Sequence, residues 1–219
     1  LLVNSMSATV TIDPKANESF TLRNYKYFLS VVPTMLAVWG NYMGGPWTMT
    51  GFLFAFVALP LYELIAKENK DNTIDDRPFI PNMILVLNVV GQVANVTMLL
   101  ASIKMGWASG VWVWTAVLST GNISGATAIN TAHELLHRKG KVWKFMSKLL
   151  LFTSNNAHFY VAHLHHHRTV GLEDDPTTAR RGESFYQYLP RTFFGQTKVA
   201  LEAEAKRLES LRIQQAQEQ

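Results

Sequence analysis

Charge is excluded from three long stretches of this 219-residue chain: residues 27–62, 78–103 and 105–133 contain no Asp, Glu, Lys or Arg. An uncharged apolar run of about 20 residues is long enough to cross the hydrocarbon core of a bilayer as a helix. That patterning constrains the fold more than bulk composition does. Mean hydropathy is only +0.04, because polar segments between the runs dilute it. Only 16% of the residues are charged, against about 25% in an ordinary soluble domain. A disordered chain, a collagen-like chain and a conventional soluble domain are all poor fits. Buried helices of a soluble protein are the competing reading, and the unbroken length of the runs argues against it. The chain has no cysteine, which removes disulfides, thiolate metal sites and cysteine nucleophiles.

The runs divide into four spans. The first run, 36 residues, is too long for one crossing, and Gly44-Gly45-Pro46 supplies a turn within it. Spans are predicted over about 27–43, 47–66, 80–103 and 107–132, with Pro60 kinking the second or marking its end. Residues 67–79 form a charged loop. Trp39, Trp47, Trp107, Trp112 and Trp114 lie near the predicted ends, where interfacial aromatics collect. With a cytoplasmic N-terminus, the outer loops 44–46 and 104–110 hold only Lys104 of the chain's 20 basic residues. The positive-inside bias therefore places both ends, and everything after residue 133, on the cytoplasmic side. Residues 1–26 are a polar lead-in; lacking a basic start and a small-residue cleavage site, they are not a signal peptide. Leu149 to Ala162 is uncharged but short for a span, which suits a re-entrant or interfacial helix or half of a hairpin. Residues 168–191 are loop-like, and 196–218 form a charged helix with a solvated face. The predicted architecture is an all-α integral membrane protein of two transmembrane helical hairpins plus a cytoplasmic or interfacial helical part. Its organisation is a lead-in (1–26), a membrane-embedded domain (27–191) and a charged cytoplasmic helix (192–219).

All seven histidines fall between residues 133 and 167. His133 and His137 are four apart, and His163, His166 and His167 sit at i, i+3 and i+4, so each set shares one helix face. His158 and His165 point elsewhere on that reading. Imidazole is a neutral ligand near pH 7 and suits zinc, iron and copper. HELLH at 133–137 also fits H-E-x-x-H, in which two histidines hold zinc and the Glu is the general base. A membrane zinc metalloprotease is therefore one reading, but it leaves His163-Leu164-His165-His166-His167 unexplained. Two helical clusters suit two metals, and histidine without cysteine suits non-haem iron. Glu134 then becomes a polar partner that orients a ligand imidazole.

The stretch Asn130-Thr131-Ala132-His133-Glu134-Leu135-Leu136-His137-Arg138-Lys139 resembles the first histidine box of the integral-membrane alkane and xylene monooxygenases. These belong to the superfamily that includes the fatty-acid desaturases. His158 to His163, followed by His166-His167, resembles the second box. The segment from Arg168 through Asp174-Asp175-Pro176 and Glu183 to Leu189-Pro190-Arg191 is similar to the stretch after that box in alkane monooxygenases. The resemblance covers roughly residues 20–210. It implies a monooxygenase with two non-haem Fe ions and O2 as co-substrate. It also implies two electrons from a rubredoxin or ferredoxin-type donor, and hydroxylation of an unactivated C–H bond in a hydrophobic substrate taken from the bilayer. The implied metal ligands are His133, His137, His163, His166 and His167, with His158 and His165 as further candidates. Glu134, Asp174, Asp175 and Glu183 are implied to hold the ligands. Ala162 stands where the family usually has Glu, and the second box is one residue shorter, so His163 and His165 remain alternatives. A desaturase or fatty-acid hydroxylase of the same superfamily is the neighbouring reading. Membrane lipid is an expected partner and nucleic acid is not. Arg138, Lys139, Lys141, Lys144 and Lys148 suit lipid headgroups or an acidic electron carrier. The family's third histidine box has no counterpart here. The chain is therefore expected to be a truncated piece, inactive alone or weak in iron binding, and a non-catalytic metal-binding fragment is the last reading.

Overall fold

The glycine pair at 44–45 makes the turn that the sequence predicts. Helix α1 (Val32–Met43) stops at Gly44, whose φ is +69°, and α2 (Gly45–Ile65) runs back from it. A Cβ on Gly44 would collide with the backbone of Trp107, and the Gly45 N–H donates to the Trp107 carbonyl at 3.0 Å. Glycine alone meets the left-handed dihedral and the close approach together. The structure is a computed structural model that describes residues 27–66 and 79–217. The lead-in 1–26 and nearly all of the predicted charged loop lie outside the described residues.

Helix α2 begins as a 3-10 turn (Gly45–Met49) and includes a π turn (Phe54–Ala58) just before Pro60. Pro60 does not end it; the helix continues to Ile65, and the wider turn precedes the ring where its missing N–H must be accommodated. Helix α3 is Phe79–Lys104, 26 residues. Helix α4 covers 111–137 as Val111–Ile123, a π turn Ser124–Ala128 and Ile129–His137, so the first histidine pair ends a continuous helix. Helices α5 (Lys141–Thr153), α6 (Phe159–Thr169) and α7 (Phe185–Gln217) follow. Among the described residues every regular element is helical.

Two sequence expectations shift. The uncharged stretch 149–162 is not one helix. It contains the turn between α5 and α6, where Asn155 takes φ +53° and the Asn156 N–H donates to the Leu151 carbonyl at 2.8 Å. The loop expected up to residue 191 ends sooner, because α7 starts at Phe185. The domain boundary drawn at 192 therefore falls inside a helix.

Two of the helices, Gly45–Ile65 and Phe79–Lys104, are long and apolar enough to cross a membrane. The α1–α4 bundle is apolar outside and polar within. Val90, Leu100, Trp114 and Leu118 are each at least 60% exposed, whereas Thr34, Asn41, Gln92, Asn95 and Ser119 are buried. Polar side chains join the helices: Asn41 Nδ2 donates to Thr120 Oγ1 at 2.8 Å, Ser124 Oγ to Gln92 Oε1 at 3.0 Å, and the Phe52 N–H to Ser119 Oγ at 3.1 Å. Small and polar contacts of this kind hold helices together where lipid removes the hydrophobic drive. An apolar core of Val89, Ala128, Ala132, Leu135, Leu150 and Leu151 locks α5 onto α3 and α4. Ser147 Oγ adds a bond to the Ala132 carbonyl at 2.8 Å.

Candidate metal centre

Residues 133–137 form the last turn of α4. Leu135 and Leu136 are buried in or beside the core, so His133 and His137, one helical turn apart, project together from the opposite side. Helix α6 repeats the device with His163 and His167. The two pairs meet. His137 Nε2 lies 3.2 Å from His133 Nε2, 3.1 Å from His163 Nε2 and 3.3 Å from His167 Nε2, and the last two are 2.8 Å apart. All four ligand nitrogens lie within 4.8 Å of one another. Phe159, anchored against the core, stacks on the His163 ring at 5.0 Å and 17° and helps fix it.

This geometry fits a bound cation. Two nitrogens coordinated to one ion at about 2.1 Å lie about 3.0 Å apart at a right angle and about 3.4 Å apart at the tetrahedral angle. The four short spacings, 2.8 to 3.3 Å, lie in or just below that range. The charge state fits as well. Burial, and then the neighbouring rings of His133, His167, His137 and His166, push His163 down to about 4. It is a neutral imidazole at pH 7. Four imidazoles without a thiolate can hold iron, zinc or copper.

His166 does not join the quartet. Its Nδ1 is 2.8 Å from Asp175 Oδ2 and 2.6 Å from Thr177 Oγ1. Asp175 is fully buried and also accepts from the Thr177 N–H at 3.0 Å, Thr177 Oγ1 at 2.7 Å and Thr178 Oγ1 at 2.5 Å. Burial alone would raise this carboxyl. The bonds from Thr178, Thr177 and His166 outweigh it and hold Asp175 at about 2. An ionised carboxylate at Nδ1 keeps the proton there and leaves the Nε2 lone pair of His166 available for a metal.

Glu183 acts further out. Arg191 grips it in a bidentate pair, Nε to Oε1 at 2.6 Å and Nη2 to Oε2 at 2.7 Å. Those bonds, and then the Arg180 N–H, lower Glu183 to about 2. Arg191 also donates to the Pro176 and Thr178 carbonyls at 3.0 Å, and Tyr188 Oη to the Thr177 carbonyl at 3.1 Å. The start of α7 thus holds the loop that holds His166. Thr177, Thr178 and Tyr188 were not singled out from sequence, and Arg191 only as the end of the family-like stretch, since no fixed spacing marks a loop clamp.

The other expected residues stand apart. His165 and Asp174 line a polar groove against α7 with Arg168 and Lys198. His158 meets Phe193 edge-on at 6.2 Å. Glu134 pairs with Arg138 at 3.1 Å, and Arg138 in turn reaches Asn82 Oδ1 and the Trp143 ring. Beside the centre, between α1, α2 and α4, lies a largely apolar cavity of about 790 Å³ lined by Val32, Phe54, Leu59, Asn88, Asn130 and Thr131 among others.

The chain is similar to the alkane 1-monooxygenase of Acinetobacter baylyi, 40% identical over 42% of this chain and 22% of the relative. It is 29% identical to alkane 1-monooxygenase 1 of Pseudomonas aeruginosa over 74% of the chain and 45% of the relative. It is also 24% identical to the xylene/toluene monooxygenase hydroxylase component of Pseudomonas putida, over 84% of the chain and 50% of the relative. The matched segments thus span about a fifth to a half of these curated relatives. Residues 105–219, just over half of the chain and including every histidine, match the fatty acid desaturase family, and the chain belongs to that family.

Proposed function

We propose that this chain is part of a membrane-bound non-haem di-iron monooxygenase that hydroxylates an unactivated C–H bond of an alkane-like substrate. In this reading α1–α4 are four spans, and the histidines lie on the cytoplasmic side, which the distribution of Lys and Arg supports. The convergence of four imidazole nitrogens from two helices carries the proposal, and the similarity to alkane 1-monooxygenases supplies the reaction class. Bound iron would supply the O2 activation that no side chain provides.

The chain's own residues do the rest. His133, His137, His163 and His167 hold one ion, and His166, aimed by Asp175, serves a second. The cavity positions the substrate: Val32, Pro33, Phe54, Ala58 and Leu59 supply apolar wall, and Asn130 and Thr131 bring its edge to within a turn of His133. Among the described residues, no charged side chain lines it. A hydrocarbon without a carboxylate therefore fits better than a fatty acid, which favours hydroxylation of alkanes over desaturation of acyl chains. Lys139, Lys141 and Lys144 are exposed just beyond His137 and suit an acidic rubredoxin or ferredoxin-type donor. Glu134 is tied to Arg138, which is not the posture of a metalloprotease base.

The test is the metal content of the detergent-purified protein, followed by product analysis with a medium-chain alkane, an alkylbenzene and a reducing partner. Iron that disappears when His133 and His137 are both changed to Ala, and an alcohol product, are expected. Zinc in place of iron, with proteolysis that depends on Glu134, would overturn the reading.

A further inference from the structure

A second cavity, of about 580 Å³, lies between helices α5, α6 and α7. Leu151 and Phe152 of α5, Ala157 of the turn and Val161 of α6 give it an apolar floor. Leu151 is buried in the core, whereas Phe152 is 75% exposed. Three charged residues complete the lining: Lys148, Glu204 and Arg207. Arg207 takes both oxygens of Glu204, at 2.6 and 2.8 Å. Lys148 makes no ion pair among the described residues, and its Nζ rests over the Tyr160 ring at 4.9 Å. The lining thus joins an apolar floor to a net positive charge, with Lys148 uncommitted.

The depth of the cavity selects its occupant. Arg138 meets Trp143, and Ser147 Oγ donates to the Ala132 carbonyl at 2.8 Å, so α5 climbs back along α4. Lys148 therefore stands level with Ala132, and Leu151 and Phe152 lie deeper than it does. From Val111 to Ala132 helix α4 rises about 32 Å, and the hydrocarbon core of a bilayer is about 30 Å thick. With Trp107, Trp112 and Trp114 at the outer boundary, Lys148 reaches the depth of the inner phosphates, and the floor faces acyl chains. An acidic protein would meet the lysine but not an apolar floor at that depth. A hydrocarbon would cover the floor and leave the lysine unmatched. We propose that the α5–α6–α7 cavity binds an anionic phospholipid of the inner leaflet, with its phosphate at Lys148 and an acyl chain along Leu151, Phe152 and Val161. This rests on the four-span reading above. The lipid packs against α6, the helix that carries His163 and His167, and so braces half of the quartet.

Native mass spectrometry of the detergent-purified full chain reads bound lipid directly, with dioleoyl phosphatidylglycerol and dioleoyl phosphatidylcholine offered in equal amounts. Phosphatidylglycerol should be retained preferentially. Lys148→Gln should cut that preference about fivefold, the worth of one cation beside anionic lipid. Ala157→Trp, at an exposed turn position, should fill the cavity and abolish it. Equal retention of the two lipids, or a preference that survives either variant, overturns the proposal. Displacement of the lipid by millimolar glycerol 1-phosphate also overturns it, since the site would then be one for free phosphate. The chain has no cysteine, so a membrane-impermeant maleimide on Lys141→Cys shows on which side α5 begins; labelling is expected only in opened cells. Labelling in intact cells overturns the four-span reading and the proposal together. Labelling only in opened cells, with equal retention of the two lipids, overturns the proposal alone.

Discussion

The quartet and His166 are neighbours in sequence and opposites in construction. His133, His137, His163 and His167 are placed by helix periodicity alone: two i, i+4 pairs, each backed by buried apolar residues, brought face to face by the α4–α5–α6 packing. His166 lies on the same helix as half of the quartet but takes its position from a loop carboxylate and two threonines, themselves held by Arg191 of α7. A ligand fixed by its own helix is robust to distant change. A ligand fixed through three elements is tunable and fragile. Substitutions that separate the two modes of support are the sharpest probes of the centre.

The largest effect belongs to His137, whose Nε2 approaches all three of its partners within 3.3 Å. His137→Ala should weaken metal binding by about 100-fold or more, since even outer residues of such sites are worth 10–100-fold. Metal per chain after dialysis against a weak chelator reads this directly. Retention of full metal would show that the quartet is not one site. Next comes Asp175→Asn, which keeps the shape of the loop and removes the charge that holds the proton on His166 Nδ1. A loss of about 10–100-fold is expected for the ion that His166 serves, with the quartet still loaded. Metal titration should therefore turn biphasic. Equal weakening of both phases would mean that His166 and the quartet hold the same ion.

The two modes of support were not equally legible. The Gly44 turn, the charge-free runs and both i, i+4 pairs follow from local geometry, so the sequence predicts them. The separation of His166 does not, because at i+3 from His163 it shares the quartet's face on a helical wheel. Only the tertiary pull of Asp175 turns it away. The start of α7 did leave a trace. Ser184 and Gln187 have capping-box spacing, and the Ser184 N–H donates to Gln187 Oε1 at 3.0 Å, the reciprocal bond of that motif. Read as a loop, the segment hid the platform that carries Tyr188 and Arg191. The polar face of α3 is written in the sequence as Asn88, Gln92 and Asn95, but which of their atoms find partners depends on the facing helices.

Acid divides the two modes by pH. His163 titrates at about 4 in the folded chain against 6.5 when unperturbed. Between those values the unfolded chain binds a proton that the folded chain does not, so the stability of metal-free protein falls as pH drops from 6.5 toward 4. Asp175, held at about 2 against 3.8, acts in a lower window. Its stabilisation is complete above 3.8 and is lost as pH falls toward 2. Melting curves at pH 7, 5 and 3 should show the first loss reduced by His163→Gln and the second by Asp175→Asn. A profile that His163→Gln leaves unchanged would remove the quartet as the source of the upper loss.

The smallest effect should come from the residue that the H-E-x-x-H pattern makes the most suspicious. Glu134 and Arg138 form an i, i+4 pair in which the carboxylate side chain is 56% exposed, and exposed pairs of that spacing are worth about 0.3–0.5 kcal/mol. Arg138 keeps its contacts with Asn82 and Trp143 when Glu134 is gone, so the end of α4 stays anchored to α3 and α5. Glu134→Gln should therefore change metal content and Tm very little, consistent with so weak a pair. Metal binding that drops tenfold would show that Glu134 turns inward to the histidines when they are loaded. Glu134 would then orient a ligand imidazole as Asp175 does, and the contrast between helix-held and carboxylate-held ligands would narrow to a difference of degree.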